Sequence, residues 1–409
     1  MRKINFHRIF IIAGIVSLLV SYLAVWIRLI NDPVERTGSD FIAFYAAGRI
    51  AQEEGASRVY DIALQRQVEE EQVGFALAPG QALQYNHLPF LIPILQLIVT
   101  PDYVASFHRW ALFMATIYAI GIAILRRTLR QSEMDPASIR IAVIGAMLFL
   151  PLFFSLMNGQ DTGILLLGAA IWVYGLLSGR EWIAGLGLSL TTVRPHIALV
   201  LALPMLFRHY RAFLGFAVGS GMLALFSLAI LGWQGAQEFV NVILVSAGGD
   251  WYGIKQNVMF NLIGLLMRTF PWVEADTIRG VGWVIYGATI LALIFIWRGT
   301  KGRKEYLIGL TVTLAALVVP HLHFHDLTLI LIPLFMLMRL SPIGRMKTSF
   351  AASLPIALSL LLLVSNAAPL LQFTVPYLIS FSLLAYFQFA LESARQAARG
   401  GREIARHIP

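Results

Sequence analysis

In a chain of 409 residues, 58% are hydrophobic and only 13% are charged, which excludes a soluble globular protein, where about a quarter of residues carry charge. The formal net charge of +9 would suit nucleic acid, but the basic residues lie in short clusters between apolar runs, as membrane orientation requires, so nucleic acid is set aside as a partner. The chain has no cysteine, which excludes disulfides, a thiolate metal site and a cysteine nucleophile.

Apolar runs of membrane length recur from end to end. Twelve spans are predicted, at 9–30, 103–125, 141–157, 162–178, 182–193, 195–207, 212–231, 278–297, 306–320, 327–338, 349–365 and 375–391. The first is too long for a cleaved leader, and no small-residue cleavage pattern follows it. Basic clusters at Arg2–Arg8, Arg126–Arg140, Arg180, Arg208–Arg211, Arg298–Lys304, Arg339–Lys347 and Arg395–Arg406 mark the cytoplasmic side. The expected architecture is an all-α integral membrane protein with both termini cytoplasmic, read as one polytopic domain over residues 1–409.

Two stretches resist simple spans. HLPFLIPILQLIVT (87–100) is apolar but short and carries two prolines, so it reads as re-entrant or interfacial. Trp182–Phe207 has basic clusters on both flanks and Arg194–Pro195 in its middle. Both flanks can lie inside only if two short helices meet at Arg194–His196, and broken helices at membrane depth belong beside protein or a cavity.

The polar material gathers outside, in a first loop over 31–87 and a second over 232–277. The first holds a predicted helix over 41–54, capped by Ser39 or Asp40 and ended by Gly55. A second helix, over 62–73, lies between Asp61 and Gly74. The second loop holds an apolar helix near 237–246 and a re-entrant candidate at 258–270.

No phosphate loop, dinucleotide fingerprint, nucleophile elbow or zincin motif occurs, and no cytoplasmic segment is large enough to hold a nucleotide. The substrates of an enzyme built this way come from the membrane or from outside. Asp40 is the first catalytic candidate, because a carboxylate can take the proton from an attacking hydroxyl; alternatively it only caps the helix after it. Arg194, at the tip of two short helices, needs a partner. A lipid-linked phosphate matches the bidentate guanidinium, and an outer-loop carboxylate would also satisfy it. PHLHFHD (320–326) places His321, His323 and His325 at alternate positions with Asp326, as a polar lining for sugar hydroxyls, an interfacial cluster or a metal site. NGQD (158–161) makes a tight turn that can present Gln160. His87 can face the same cavity from YNHLP, and His196 adjoins Arg194. Trp251, Tyr252, Gln256 and Asn257 lie in the second loop, with the tryptophan read as part of the interface belt.

In order, SDFIAFYAAGRIAQEEGASRVYD, YNHLPF, NGQDTGILL, AGLGLSLTTVRPHIAL, KQNVMFNLIGLLMR and PHLHFHDL resemble the bacterial DUF2029 group. This is glycosyltransferase family 87, alpha-mannosyltransferase-like proteins with the GT-C membrane fold, and the similarity covers about residues 9–340. The resemblance implies transfer of a mannose-like hexose from a polyprenyl-phosphate donor to a lipid or glycan acceptor outside the cytoplasmic membrane, without cofactor or metal. It implies Asp40 as general base, Arg194 on the donor phosphate, and a catalytic histidine at His325. Tyr45, Tyr85, His87, Gln160, His196, Gln256, Asn257, His321, His323 and Asp326 become substrate contacts. The motif YNHLPF has one proline where the family usually has two, and the late histidines depart from the double histidine of other members. A non-enzymatic transporter or flippase of a lipid-linked sugar is the alternative. It would share the bundle, the polar loop and Arg194, but no acidic residue falls well inside a predicted span, as a proton-coupled relay would need.

Overall fold

The computed structural model describes residues 6–32, 39–78, 81–132, 134–247, 256–300, 304–340 and 345–365. Within them the chain is all-helical, with no strand. The predicted span at 375–391, the basic tail, Trp251 and Tyr252 lie outside the described residues. The helices are α1 (Phe6–Asn31), α2 (Phe41–Glu53), α3 (Ile62–Val73), α4 (Ile92–Ile98), α5 (Tyr103–Arg130), α6 (Pro136–Met147), α7 (Leu150–Asn158) and α8 (Thr162–Leu177). They continue with α9 (Glu181–Ser189), α10 (Pro195–Ala202), α11 (Tyr210–Ala247), α12 (Leu262–Thr269), α13 (Ala275–Gly299), α14 (Lys304–Val318), α15 (Leu331–Leu340) and α16 (Arg345–Ser365).

Among the described residues, five stretches are helical, long and apolar enough to cross a membrane: Phe6–Asn31, Tyr103–Arg130, Pro136–Asn158, Tyr210–Ser246 and Ala275–Gly299. They carry exposed apolar faces, with Val20 and Leu23 on α1, Met222 and Leu225 on α11, and Val284 and Phe295 on α13. Such faces are stable against lipid tails and unstable against water. The chain is a helical membrane protein.

Within the described residues, the remaining predicted spans form shorter helices, and proline sets many of the breaks. Pro89 starts a 3-10 turn before α4, Pro151 lies in the first turn of α7, and Pro195 opens α10. Because proline bars its predecessor from the helical region, Arg194 sits at φ −129°, ψ 83° between a 3-10 turn (Leu190–Val193) and α10. One boundary differs from expectation: the predicted span at 141–157 is broken at Leu148–Phe149 into α6 and α7. Within α11 the backbone leaves the helical region at Gly232 (φ +63°, ψ −176°), so two helices meet there, in keeping with the predicted span at 212–231 and the separate helix near 237–246.

Lipid gives helices little hydrophobic reason to associate, so close backbone approach and van der Waals packing hold them together. α9 packs between α8 and α11, so closely that a Cβ on Gly185 would overlap the Ala212 carbonyl oxygen. α5 packs along α8, where Trp110, Tyr118 and Trp172 are fully buried.

Two segments between the longer helices fix the polar residues at one end of the bundle. In α3, capped by Asp61 and closed by left-handed Gly74 as expected, Gln65 accepts from the Tyr85 amide at 2.9 Å and Glu69 from the Leu83 amide at 3.0 Å. These bonds fix the extended run that delivers His87. Near the other end of the fold, Asn261 Nδ2 donates to the Val319 and Pro320 carbonyls at 2.6 and 2.8 Å. The Phe260 amide donates to the Leu322 carbonyl at 3.1 Å, so the second loop pins the histidine segment after α14.

Candidate active site

Among the described residues, five aspartates stand at the N-cap positions of helices: Asp40, Asp61, Asp102, Asp135 and Asp161. An aspartate there normally turns its carboxylate onto the first free amides, worth about 1 kcal/mol. Asp61, Asp102 and Asp135 do so. Asp40 and Asp161 make no side-chain cap bond; both carboxylates turn away from their helices and meet in one buried polar cluster.

The centre of that cluster is Arg194. Its Nη2 lies 3.0 Å from Asp161 Oδ1 and donates to Gln160 Oε1 at 3.2 Å. Its Nε donates to Asp326 Oδ1 at 3.2 Å, and its Nη1 to the Val193 carbonyl at 3.0 Å. Gln160 then donates through Nε2 to Asp40 Oδ2 at 2.6 Å, so one amide joins the half-buried Asp40 to the buried arginine. His87 Nδ1 stands 2.9 Å from the other oxygen of Asp161. Asp161, Asp326 and Arg194 are 0%, 1% and 9% exposed, which makes this a buried ion triad.

The NGQD turn builds this geometry. Gly159 ends α7 in the left-handed region at φ +70°, and its carbonyl accepts from Trp110 Nε1 at 2.7 Å. A Cβ there would stand 2.5 Å from the Phe41 Cβ, so only glycine lets the turn lie against the start of α2, where Asp40 is. Thr162 accepts or donates a 2.6 Å bond with Tyr118 and contacts Ser155, closing the turn from beneath.

Burial disfavours every charge here, and the partners decide which charges survive. Burial would raise the Asp161 carboxyl, but Arg194 and then His87 outweigh it and hold it well below the usual carboxylate range. Asp326 is also held low against burial, chiefly by Arg194. Burial alone would lower Arg194, and the two carboxylates reverse that and raise it. The histidines lack such compensation. Burial pushes His321 and His325 down to about 4, and His323 is lowered too, so all three imidazoles are neutral at pH 7. The charge of Asp40 acts weakly against that trend on both His323 and His325, whose rings stack with 5.4 Å between centroids. His325 Nε2 is 3.8 Å from Asp326 Oδ2.

Of the residues singled out in the sequence, Asp40, His87, Gln160, Arg194, His323, His325 and Asp326 form this one cluster. His196 Nε2 instead bonds the His321 backbone carbonyl at 2.9 Å, so both support its edge. Tyr45 and Tyr85 are buried, and their hydroxyls donate to the Pro101 carbonyl at 3.2 Å and the Leu88 carbonyl at 3.5 Å. Gln256 is buried and Asn257 exposed; the Asn257 carbonyl accepts from Arg268, and no bond joins either to the triad. Asp161 is the member of this cluster that the sequence pattern did not single out. Its signal was charge balance: a buried arginine next to NGQD required a carboxylate, and Asp161 was within reach. Among the described residues, no group of three or more His, Asp or Glu is arranged to hold a metal ion.

A cavity of about 320 Å³ runs between Leu88–Phe90, Thr192, Pro195 and α11. Its walls include Leu223, Leu228, Leu231 and Phe239, so it is an apolar groove, and it reaches Thr192 and Pro195, the residues that bracket Arg194 in the chain.

The sequence profile described as glycosyltransferase family 87 matches residues 88–320 of the chain. The matched stretch includes Gln160, Asp161 and Arg194; Asp40 and Asp326 fall outside it. No curated protein matches.

Proposed function

The chain belongs to glycosyltransferase family 87, and from that premise we propose that this membrane glycosyltransferase moves a mannose-like hexose from a polyprenyl-phosphate donor to a lipid or glycan acceptor, with Asp40 as general base. The observation that carries this reading is the pair of aspartates that forgo their helix caps to enter one cluster. Local stability given up at two adjoining positions is the usual mark of a site.

Asp40 Oδ2 is engaged by Gln160, which leaves Oδ1 to receive the proton of the acceptor hydroxyl. That hydroxyl oxygen then bonds to the anomeric carbon as the bond from that carbon to the phosphate oxygen breaks, and the lipid phosphate leaves with the electron pair. This single displacement inverts the anomeric configuration. Arg194 is the group that meets the phosphate charge. Since two carboxylates already hold its guanidinium, the phosphate approaches on the remaining edge, from the apolar groove that suits the lipid's first units. Neutral His325 and His323 orient sugar or acceptor hydroxyls, and His87, Gln160 and Asp326 fix the charged groups.

The architecture that accompanies this reading is the GT-C one: about twelve spans, both termini cytoplasmic, the first loop (31–87) and second loop (232–277) outside, and the site facing outside the bacterial cytoplasmic membrane. A flippase would share groove and arginine, but membership of a glycosyltransferase family favours the enzyme. Asp40→Asn is expected to lower transfer from a panel of polyprenyl-phosphate sugars by about 10²–10⁴-fold, the usual worth of a general base, with expression and thermal stability kept. Transfer at the wild-type rate in that variant would sink the assignment.

A further inference from the structure

At the far end of α8 from Asp161 the chain forms a second polar cavity, of about 510 Å³. The 16 residues of α8, at about 1.5 Å each, put it roughly 24 Å from the catalytic cluster. Arg180, Glu181, Trp182, Arg208, Tyr210 and Arg211 line it. They come from the α8–α9 turn and the α10–α11 turn, which the α9–α11 contact brings together.

Three arginines therefore converge on one carboxylate, and that carboxylate is occupied: Glu181 Oε1 is 2.7 Å from His209 Nδ1. No ion pair engages Arg180, Arg208 or Arg211 among the described residues. Arg208 Nη1 donates to the Trp297 carbonyl at 3.3 Å, and Arg211 Nε to the Tyr210 hydroxyl at 3.3 Å. These bonds aim guanidinium groups without neutralising them. The rim is amphipathic. Trp182, Ile183, Phe207 and Tyr210 are exposed, the mixture of aromatic and aliphatic groups that settles at the level of lipid headgroups. Basic pockets between helices at that level take phosphate-bearing headgroups.

We propose that this cavity binds the phosphate of an anionic phospholipid, held by Arg180, Arg208 and Arg211 with the acyl chains against Trp182, Phe207 and the lipid face of α11. The ligand chemistry is a phosphate anion; the exposed apolar rim identifies its source as lipid. The site is separate from the donor site and does not depend on the catalytic reading.

The test is native mass spectrometry of the purified chain released from detergent with phosphatidylglycerol, cardiolipin or phosphatidylcholine, beside thermal melts with the same lipids and with inorganic phosphate. The wild-type protein is expected to retain phosphatidylglycerol or cardiolipin over phosphatidylcholine and to melt higher with them. Arg180→Gln/Arg208→Gln/Arg211→Gln is expected to weaken retention at least about tenfold. Arg126→Gln/Arg130→Gln, which removes two other basic residues, is expected to leave it unchanged. Should the triple variant misfold, Arg180→Gln alone serves, since its side chain gives up no bond, and a several-fold loss is expected. Equal losses in the Arg126/Arg130 variant, or stabilisation by inorganic phosphate with none by lipid, would overturn the proposal.

Discussion

Arg194 carries one charge and is held by two, since both Asp161 and Asp326 lie within about 3 Å of it. Removing either carboxylate leaves the guanidinium paired with the other, but removing the arginine leaves two buried anions facing each other. An uncompensated buried charge costs about 3–5 kcal/mol. Arg194→Gln is therefore expected to lower stability in detergent by about that much, and Asp161→Asn or Asp326→Asn by clearly less. Thermal or denaturant unfolding of the three variants side by side checks the ranking; an arginine variant as stable as either aspartate variant would contradict the triad. The late histidines give a second residue-level expectation. Their folded-state values are depressed, to about 4 for His321 and His325, against about 6.5 unfolded. As pH falls below 6.5 the unfolded chain takes up protons that the folded chain refuses. The stability these groups contribute is thus full above pH 6.5 and is lost between 6.5 and 4. Melting temperature is expected to fall across that window, and His325→Gln to shallow the slope. At this scale the sequence made the residue types of the site visible and left their pairing hidden. Asp40 and Arg194 stood out because each is out of place in its surroundings. Asp161 did not, because in a turn sequence an aspartate before a helix looks like a cap, and only the folded chain shows that it turns away.

Helix boundaries were legible wherever a residue constrains φ. The loop helices at 41–53 and 62–73 and the break at Arg194–Pro195 lie where the caps, glycines and proline put them. The same holds at Gly232, where a left-handed glycine separates the two halves of α11. The break at Leu148–Phe149 was not legible, because in apolar surroundings hydrophobicity no longer distinguishes a helix from its interruption, and tertiary packing decides. The α7–α8 turn is the element on which the site depends most. Gly159 combines a left-handed φ of +70° with a close approach to Phe41. An alanine there is strained in backbone and overlaps the residue after Asp40, so the start of α2 must move. Because Gln160 reaches Asp40 over a bond of 2.6 Å, a shift of about 1 Å is enough to break it; a misplacement of that size typically lowers turnover about 10²-fold. Gly159→Ala is expected to reduce transfer by about that factor while the protein still inserts, and Gly74→Ala, equally left-handed but with open space around it, to spare activity.

Across the whole molecule, the proposed placement of the candidate catalytic cluster outside and the arginine cavity inside depends on one charge argument and one geometric one. The basic clusters choose the side. The length of α5, 28 residues from Tyr103 to Arg130, or roughly 42 Å, is enough to cross hydrocarbon and headgroups together, so under the proposed architecture its two ends face different compartments. The absence of cysteine makes the chain its own background for testing this. Gln67 on α3 and Gln131 just past α5 are both exposed, and each can be replaced by cysteine without touching the triad. In intact cells Gln67→Cys is expected to react with a membrane-impermeant maleimide, and Gln131→Cys to react only after permeabilisation. The reverse pattern would place Asp40 in the cytoplasm. A lipid-phosphate sugar would then have no topological reason to be preferred over a nucleotide sugar as donor. The same two positions thus decide between the donor class proposed here and the other one open to a membrane glycosyltransferase.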